Sequence, residues 1–525
     1  MRASDLFVKC LENEGVEFIF GIPGEENIDL IDSISRSRIR FIVCRHEQGA
    51  AFMADTYGRL TGKPGVCLST LGPGATNLVT GVANAHLDKV PIVAITGQAS
   101  RDRLHKESHQ NIDTLKLFSG ITKYNAAVIV SEAIPEIIRK AFQASTSEQP
   151  GASHIQLPED VARENVDNLS PLYIPEKVVY ESVGKQIEES ANIINASERP
   201  IVLIGNGVNR SKAWDAVSRF VDTCNIPAVS TFMAKGIIPF KHPRNLFVVG
   251  GKPYPPGMRP LHASDLVIAI GFDLVEYDPI TWNSDSKRKI INIHTSTAET
   301  DEHFPVEIDL VGDISVTVSR LANLVKKRTD TSIHDEIRNK RLAELNNGSD
   351  SVHKVPRGLM KVLTEDLPAN STLISDVGIH KVWVARWYHP STPNRTIIYN
   401  GFASMGGSLP AAVSAKLLRP NESVVSVCGD GGFLMNVQEL ETASRLQLAF
   451  TVIVLNNGSY GLIKQKQEDS GYKPEYISFT NPDFKMLAES FGANYCKASN
   501  PEEFRAALKN SLESKRVCII EVPSP

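Results

Sequence analysis

The sequence predicts an α/β protein built as three doubly wound parallel-sheet domains. Three observations predict it. The chain has 525 residues, far more than one ordinary domain. Short apolar runs alternate with helix-patterned stretches from one end to the other. The alternation is broken twice, where Pro, Asn, Ser and charged residues collect. These breaks put the domains at residues 1–165, 186–325 and 355–525.

The chain opens on an amphipathic helix over Met1 to Val16, acidic rather than basic and without a signal-peptide apolar run. Strands are expected at Phe18 to Phe20, Phe41 to Cys44, Val66 to Ser69, Ile92 to Thr96 and Ser153 to Leu157, each a short apolar run. The polar segment at 165–185 reads as a linker, after which Pro200 to Gly205 starts a fresh strand and Leu266 to Ile270 another. Lys326 to His353 carries charges at helical spacing and then Asn346-Asn347-Gly348-Ser349, a solvated helix followed by a loop. The last domain has strands at Thr372 to Ser375, Thr396 to Tyr399, Ser423 to Cys428, Phe450 to Leu455 and Val517 to Val522, with a helix over Val437 to Leu446.

The 56 basic and 60 acidic residues nearly balance and form no long run of one sign, so neither nucleic acid nor an anionic membrane is an expected partner. No segment is apolar for long enough to cross a bilayer. The seven cysteines stand singly, without metal-ligand spacing, and read as reduced core residues of a cytoplasmic protein.

Chemistry concentrates at two places. Ser423 to Cys428 runs into Gly429-Asp430-Gly431-Gly432, and Phe450 to Leu455 runs into Asn456-Asn457-Gly458. A helix between them makes a βαβ unit. Its right-handed crossover sets the strands parallel, so Asp430 and Asn457 emerge together at the carboxyl edge, where open α/β sheets bind ligands. A carboxylate and a carboxamide suit magnesium, and bare glycine backbone lets phosphate approach. Gly-Asp-Gly alone is a common turn; Asn457, 27 residues after Asp430, gives it meaning. The second place is in the first domain. Glu47, in Arg45-His46-Glu47-Gln48-Gly49, follows a strand and starts a helix, a position the macrodipole favours for any acid. Ser69-Thr70-Leu71-Gly72-Pro73-Gly74-Ala75-Thr76-Asn77 is another strand, tight turn and helix start on the same edge.

Taken together, these segments resemble the acetolactate synthase branch of the thiamine-diphosphate enzymes, and the resemblance runs the length of the chain. It implies a pyrimidine-binding, a central and a diphosphate-binding domain, with thiamine diphosphate and Mg2+ as cofactors. By that resemblance Glu47 is the catalytic glutamate and Gln110 contacts the reacting end of the cofactor. Pro23 and Gly24, in Gly21-Ile22-Pro23-Gly24, belong to the first cofactor loop, although Glu25 and Glu26 follow where relatives carry small residues. Thr70, Pro73 and Asn77 border the pyrimidine ring. Gly378 and His380, in Asp376-Val377-Gly378-Ile379-His380, touch the diphosphate. Ala403, Ser404 and Met405 lie in the segment whose Met wedges between the two rings. Asp430, Asn457 and the carbonyl of Ser459 hold the metal. Gly431, Gly432, Tyr460, Gly461 and Leu462 complete the cofactor-binding set.

The implied reaction decarboxylates pyruvate and joins the remaining two-carbon unit to a second pyruvate, giving 2-acetolactate and carbon dioxide. Simple decarboxylases of the family often present adjacent histidines. Here His105 and His109 flank the Gln110 segment but no two histidines are adjacent, which favours carboligation. Biosynthetic synthases hold a structural flavin through an arginine-containing stretch after the strand that corresponds to Leu266 to Ile270. Gly271 to Pro279 contains no arginine, so FAD is not expected, and the likeness is to flavin-free catabolic synthases. Gly205-Asn206-Gly207 reads as a plain strand-helix turn. Lys466 stands where biosynthetic synthases carry a Trp; Lys464, Gln465 and Lys466 are candidates for binding an acceptor carboxylate, or a solvated helix face. The alternatives are a decarboxylase or carboligase of another 2-oxo acid, a flavin-dependent oxidase, or a catalytically inactive regulatory subunit. Family active sites are shared between chains, which implies a homodimer or homotetramer with Glu47 of one subunit facing Asp430 and Asn457 of another.

Overall fold

Short, mostly apolar runs form the strands of three six-stranded sheets, and every strand pairing within them is parallel. The computed structural model describes residues 1–176, 179–250, 255–347 and 354–524. The first sheet contains β1 (Phe18–Gly21), β2 (Arg40–Val43), β3 (Gly65–Ser69), β4 (Ile92–Gln98), β5 (Tyr124–Ala127) and β6 (Ala152–Pro158), in the order β2-β1-β3-β4-β6-β5. The central sheet contains β7 (Pro200–Ile204), β8 (Ala228–Ser230), β9 (Asn245–Val248), β10 (Leu266–Ile270), β11 (Lys289–His294) and β12 (Val306–Val311), in the order β12-β11-β10-β7-β8-β9. The last contains β13 (Thr372–Ser375), β14 (Thr396–Ile398), β15 (Val424–Gly429), β16 (Thr451–Asn456), β17 (Asn494–Lys497) and β18 (Cys518–Pro523), in the order β14-β13-β15-β16-β18-β17. The first and last sheets therefore have the same topology.

In each order the strands are added first to one side and then to the other of the domain's first strand, β1, β7 or β13, and ligands of such sheets bind at the carboxyl ends of the strands flanking that reversal. The reversal falls between β1 and β3 in the first sheet, between β7 and β10 in the central one and between β13 and β15 in the last. The loops carrying Gly24, Thr70, His380 and Asp430 leave from four of these six strands, β1, β3, β13 and β15.

The first and last sheets share one core. The helix Glu47–Thr61 presents Ala50, Ala51 and Phe52 to that core, and the helix Ser408–Leu418 presents Leu409, Ala411 and Ala412. Small side chains let the two helices pack closely, and the Ser414 hydroxyl donates to the Met53 carbonyl at 2.8 Å. Beside them Arg59, itself buried, bonds Asp55 and Asp88, lies 5.1 Å from the Tyr399 ring centroid, and so joins the two halves. Asp88 also accepts from the Gly401 amide at 2.6 Å. The central sheet reaches the last one through Lys235, whose buried ammonium donates to the carbonyls of Val384, Ala385 and Tyr388 at the end of the helix Ile379–Trp387.

Two expectations need correction. The polar segment after residue 326 forms the helix Ser332–Asn347, but it is not simply solvated: His334 and Arg341 are buried, and Arg341 donates to the carbonyls of Leu246 and Val248 at β9. Gly348, Ser349 and His353 of the loop expected there lie outside the described residues. The helix expected over Val437 to Leu446 is the shorter Glu439–Arg445, and a separate turn of helix, Asp430–Met435, precedes it. Six cysteines are buried and Cys496 is partly exposed. Among the described residues no helix is long and apolar enough to cross a membrane.

Candidate active site

In the last sheet, β15 ends at Gly429 and hands Asp430 to the start of a short helix, fully buried at the topological reversal. Asp430 Oδ2 accepts from the amides of Asn457 at 3.2 Å and Gly458 at 2.7 Å and from Asn481 Nδ2 at 2.7 Å. Three donors on one oxygen fix the carboxylate's rotamer and spread its charge. Oδ1 meets only the adjacent Gly431 amide at 3.0 Å. Asn457 follows β16, and its Oδ1 accepts from the Ser459 amide at 3.2 Å. Both oxygens stand on one edge, as the βαβ crossover requires.

A pocket of about 260 Å3 opens there. Asp430, Gly431, Gly432, Asn457, Ser459, Tyr460, Gly461 and Leu462 line one side, and Gly378, His380, Ala403 and Met405 the other. Ser404 is adjacent in sequence but is not part of the lining. His380 sits in the first turn of the helix Ile379–Trp387, with Nε2 buried and without a hydrogen-bond partner. Burial lowers its pKa to about 4, so the ring is neutral at physiological pH. The amides of this helix start, at the edge of the pocket, suit an anion such as a diphosphate.

The Met405 loop is set by Asp376, which the sequence reading had quoted only as part of a motif. This carboxyl group is fully buried; Oδ1 accepts from the amides of Val377 at 2.8 Å and Gly406 at 3.0 Å, and Oδ2 from Gly406 at 3.0 Å. Desolvation pushes its pKa up to about 7 against the pull of these amides. Gly432 makes the room: a Cβ there would lie 2.4 Å from Asp376 Oδ2.

The first sheet gathers a second cluster at its own reversal. Glu47 begins the helix Glu47–Thr61 after β2, is buried, and accepts from Asn77 Nδ2 at 2.9 Å. Gly24, after β1, lies against Thr70, after β3, where a Cβ would come within 2.4 Å of the Thr70 side chain. Thr70 donates in turn to Glu26 Oε2 at 2.7 Å, so one of the two unexpected acids after Gly24 is folded into the cluster. Gly72 has φ +43° and abuts the Gln110 backbone, while the Gln110 side chain and Pro23 and Pro73 are exposed. None of Glu47, Thr70, Asn77 and Gln110 lines the pocket that holds Asp430. The two clusters are thus separate within the chain.

The reversal in the central sheet is filled from within. Glu276 Oε1 accepts from the amides of Asn206 at 2.9 Å and Asp273 at 3.2 Å, and Oε2 from the Thr231 hydroxyl at 2.5 Å. Burial and the nearby Asp273 push its pKa up to about 8. Arg210 pairs with Asp273 at 2.7 Å beside it. The candidate acceptor-binding residues lie on the helix Gly461–Asp469, with Lys464 and Lys466 exposed and Gln465 half-buried.

Asn481 and Asp376 are the residues around the pocket that sequence reasoning missed. Asn481 sits in a polar loop with nothing to mark it. Asp376 carried a signal, an acid next to an apolar strand, which asks for a buried partner.

Fold and site together define a thiamine-pyrophosphate enzyme. Residues 1–117 match the N-terminal TPP binding domain of the thiamine pyrophosphate enzymes, 187–321 their central domain and 376–522 their C-terminal TPP binding domain. The chain is 34% identical to an acetolactate synthase of Bacillus subtilis, covering 99% of this chain and 93% of that protein. It is 35% identical to a probable acetolactate synthase large subunit of Methanocaldococcus jannaschii, over 99% and 92% of the two chains. A catabolic acetolactate synthase of Raoultella terrigena is 32% identical over 99% and 95%. The chain belongs to the acetolactate synthase branch of the thiamine-pyrophosphate enzymes, and thiamine diphosphate is its cofactor.

Proposed function

We propose that the protein condenses two molecules of pyruvate to 2-acetolactate with release of carbon dioxide. The observation that carries this reading is the pairing of a buried Glu47, oriented by Asn77, with an Asp430 and Asn457 pair at the edge of another sheet, in a chain whose relatives are named acetolactate synthases.

The residues fit the cofactor and its metal. The first turn of the helix Ile379–Trp387, at the edge of the pocket, suits the diphosphate. Asp430 Oδ1, Asn457 Oδ1 and the Ser459 carbonyl form a hard-oxygen set for Mg2+, which keeps other positions for water and phosphate. Thiamine diphosphate, when bound, supplies an electron sink for the carbon–carbon bonds that break and form. Glu47, its carboxyl held by Asn77 Nδ2 at 2.9 Å, would be the group that exchanges a proton with the cofactor's pyrimidine ring. Met405, in the pocket lining, would hold the cofactor's two rings in the bent shape that brings them together. Lys464, Gln465 or Lys466 attracts the carboxylate of the acceptor pyruvate.

Because the Glu47 cluster and the Asp430 pocket of one chain do not open on each other, we place the complete site between two chains, in a homodimer or homotetramer. Glu276 occupies the amides that a nucleotide phosphate would use in the central sheet, which supports a synthase without FAD. This reading keeps the domain limits at residues 1–165, 186–325 and 355–525 and, with the cysteines free, a cytoplasmic location.

The test is incubation of the purified protein with thiamine diphosphate, Mg2+ and pyruvate, following carbon dioxide and identifying the carbon product. Acetolactate is expected, and Glu47→Gln should lose it by about 100-fold or more, the scale of general acid–base catalysis. Acetaldehyde as the main product would overturn the carboligase reading.

A further inference from the structure

Glu439 is fully buried and does not line the pocket. It begins the helix Glu439–Arg445, shortly after the Asp430 loop. Its Oε1 accepts from the amides of Arg45 at 3.0 Å and His46 at 3.1 Å, and its Oε2 from the Thr442 hydroxyl at 2.7 Å. Arg45 and His46 lie just ahead of the helix that Glu47 begins, so no earlier turn of that helix supplies acceptors for their amides. A negative charge beside this helix start is also favoured by the macrodipole.

The surrounding residues are shaped to this contact. A Cβ on Gly49 would lie 2.6 Å from Glu439 Oε1, so only a glycine leaves the carboxylate its place. Asn436 Nδ2 donates to Gln48 Oε1 at 3.1 Å and to the Gly406 carbonyl at 2.8 Å. The turn from Asn436 to Glu439 therefore grips Arg45, His46, Gln48 and Gly49, the residues on both sides of Glu47, and also holds the residue after Met405.

We propose that the Asn436–Glu439 turn is a positioning device for Glu47, with Glu439 as its principal residue. Glu439 acts through the backbone of Arg45 and His46: it fixes where the helix starts and thus where the Glu47 carboxyl points. The catalytic part of this proposal rests on the function proposed above. If sites are shared between chains, the same turn steadies Met405 for one cofactor and Glu47 for the other, so two sites of a dimer are joined through one short segment.

The experiment compares Glu439→Ala, Glu439→Gln and Asn436→Ala with the wild-type holoenzyme. Glu439→Ala should lower acetolactate turnover by about 100-fold, the cost of a small misplacement at the reacting centre. Pyruvate KM and thiamine diphosphate Kd should stay within about threefold, because an interaction used only in turnover is lost. Glu439→Gln, whose amide oxygen still accepts a hydrogen bond, should recover most of the turnover. Hydrogen exchange at the Arg45 and His46 amides, measured without substrate, should quicken in Glu439→Ala and stay slow in Glu439→Gln. Unchanged turnover or unchanged exchange in Glu439→Ala overturns the proposal, as does loss of turnover accompanied by equal loss of cofactor affinity. Should Glu439→Ala not fold, Asn436→Ala decides: lowered turnover at unchanged Kd supports the device and full turnover overturns it. A wild-type protein that makes no acetolactate while the amide exchange responds as expected would overturn the function and leave the positioning role standing.

Discussion

At the residue scale, the acids of this protein differ by what surrounds them. Asp430 is buried among three donors on a single oxygen and serves as an anchor. Asp376 is buried at a similar depth, but desolvation outweighs its amide partners and sets its pKa at about 7. The folded-state value lies above the ordinary carboxyl value, so the folded protein binds this proton more tightly than the unfolded chain. Its contribution to stability is full below about pH 4 and is lost as pH rises through about 7. Melting curves across that window should show a smaller loss of stability with rising pH in Asp376→Asn than in the wild type; equal slopes would rule out Asp376 as the titrating group. The places of Asp430, Asn457 and Glu47 just after strand ends were legible in the sequence because each follows a short apolar run in a local string. Glu439 and Asn481 were not, since a side chain whose partner is a backbone amide 394 residues away, as Glu439 is to Arg45, leaves no local pattern.

At the element scale, what could be read depended on burial. β10 and β13 have the limits expected from sequence, Leu266–Ile270 and Thr372–Ser375, because every residue of each is buried and the apolar run is unbroken in one and nearly so in the other. β5 and β17, reading Tyr-Asn-Ala-Ala and Asn-Tyr-Cys-Lys, went unseen. Both are edge strands, pairing on one side and only partly buried, so neither alternation nor an apolar run marks them. Helix contacts between distant segments were equally invisible. The Glu47 helix depends on them: Arg59 on its last turn ties Asp55 and Asp88 and stands against Tyr399. Arg59→Met would leave two buried carboxylates without their cation and should cost about 3–5 kcal/mol of stability in chemical denaturation. A change under about 1 kcal/mol would mean that the tie is not structural.

At the scale of the whole molecule, three doubly wound sheets were evident from alternation and length, whereas the shared strand order of the first and last sheets was not, because nothing in their residues repeats. That shared order places one partial site at equivalent positions of two sheets. Mixing two inactive variants, Glu47→Gln and Asp430→Asn, through dissociation and reassembly should therefore regenerate activity. Random pairing makes half the dimers hybrid, each with one intact site of two, so about a quarter of wild-type activity should return. No recovery, with subunit exchange verified by mass spectrometry, would place both residues in a site within one chain. The cysteines have a practical consequence of another kind. Six sulfurs lie inside the cores and only Cys496, on the edge strand β17, is partly open to solvent. To a maleimide dye the folded protein therefore offers few open thiols, Cys496 itself packing against the core of the last domain, so rapid labelling of all seven would report unfolding.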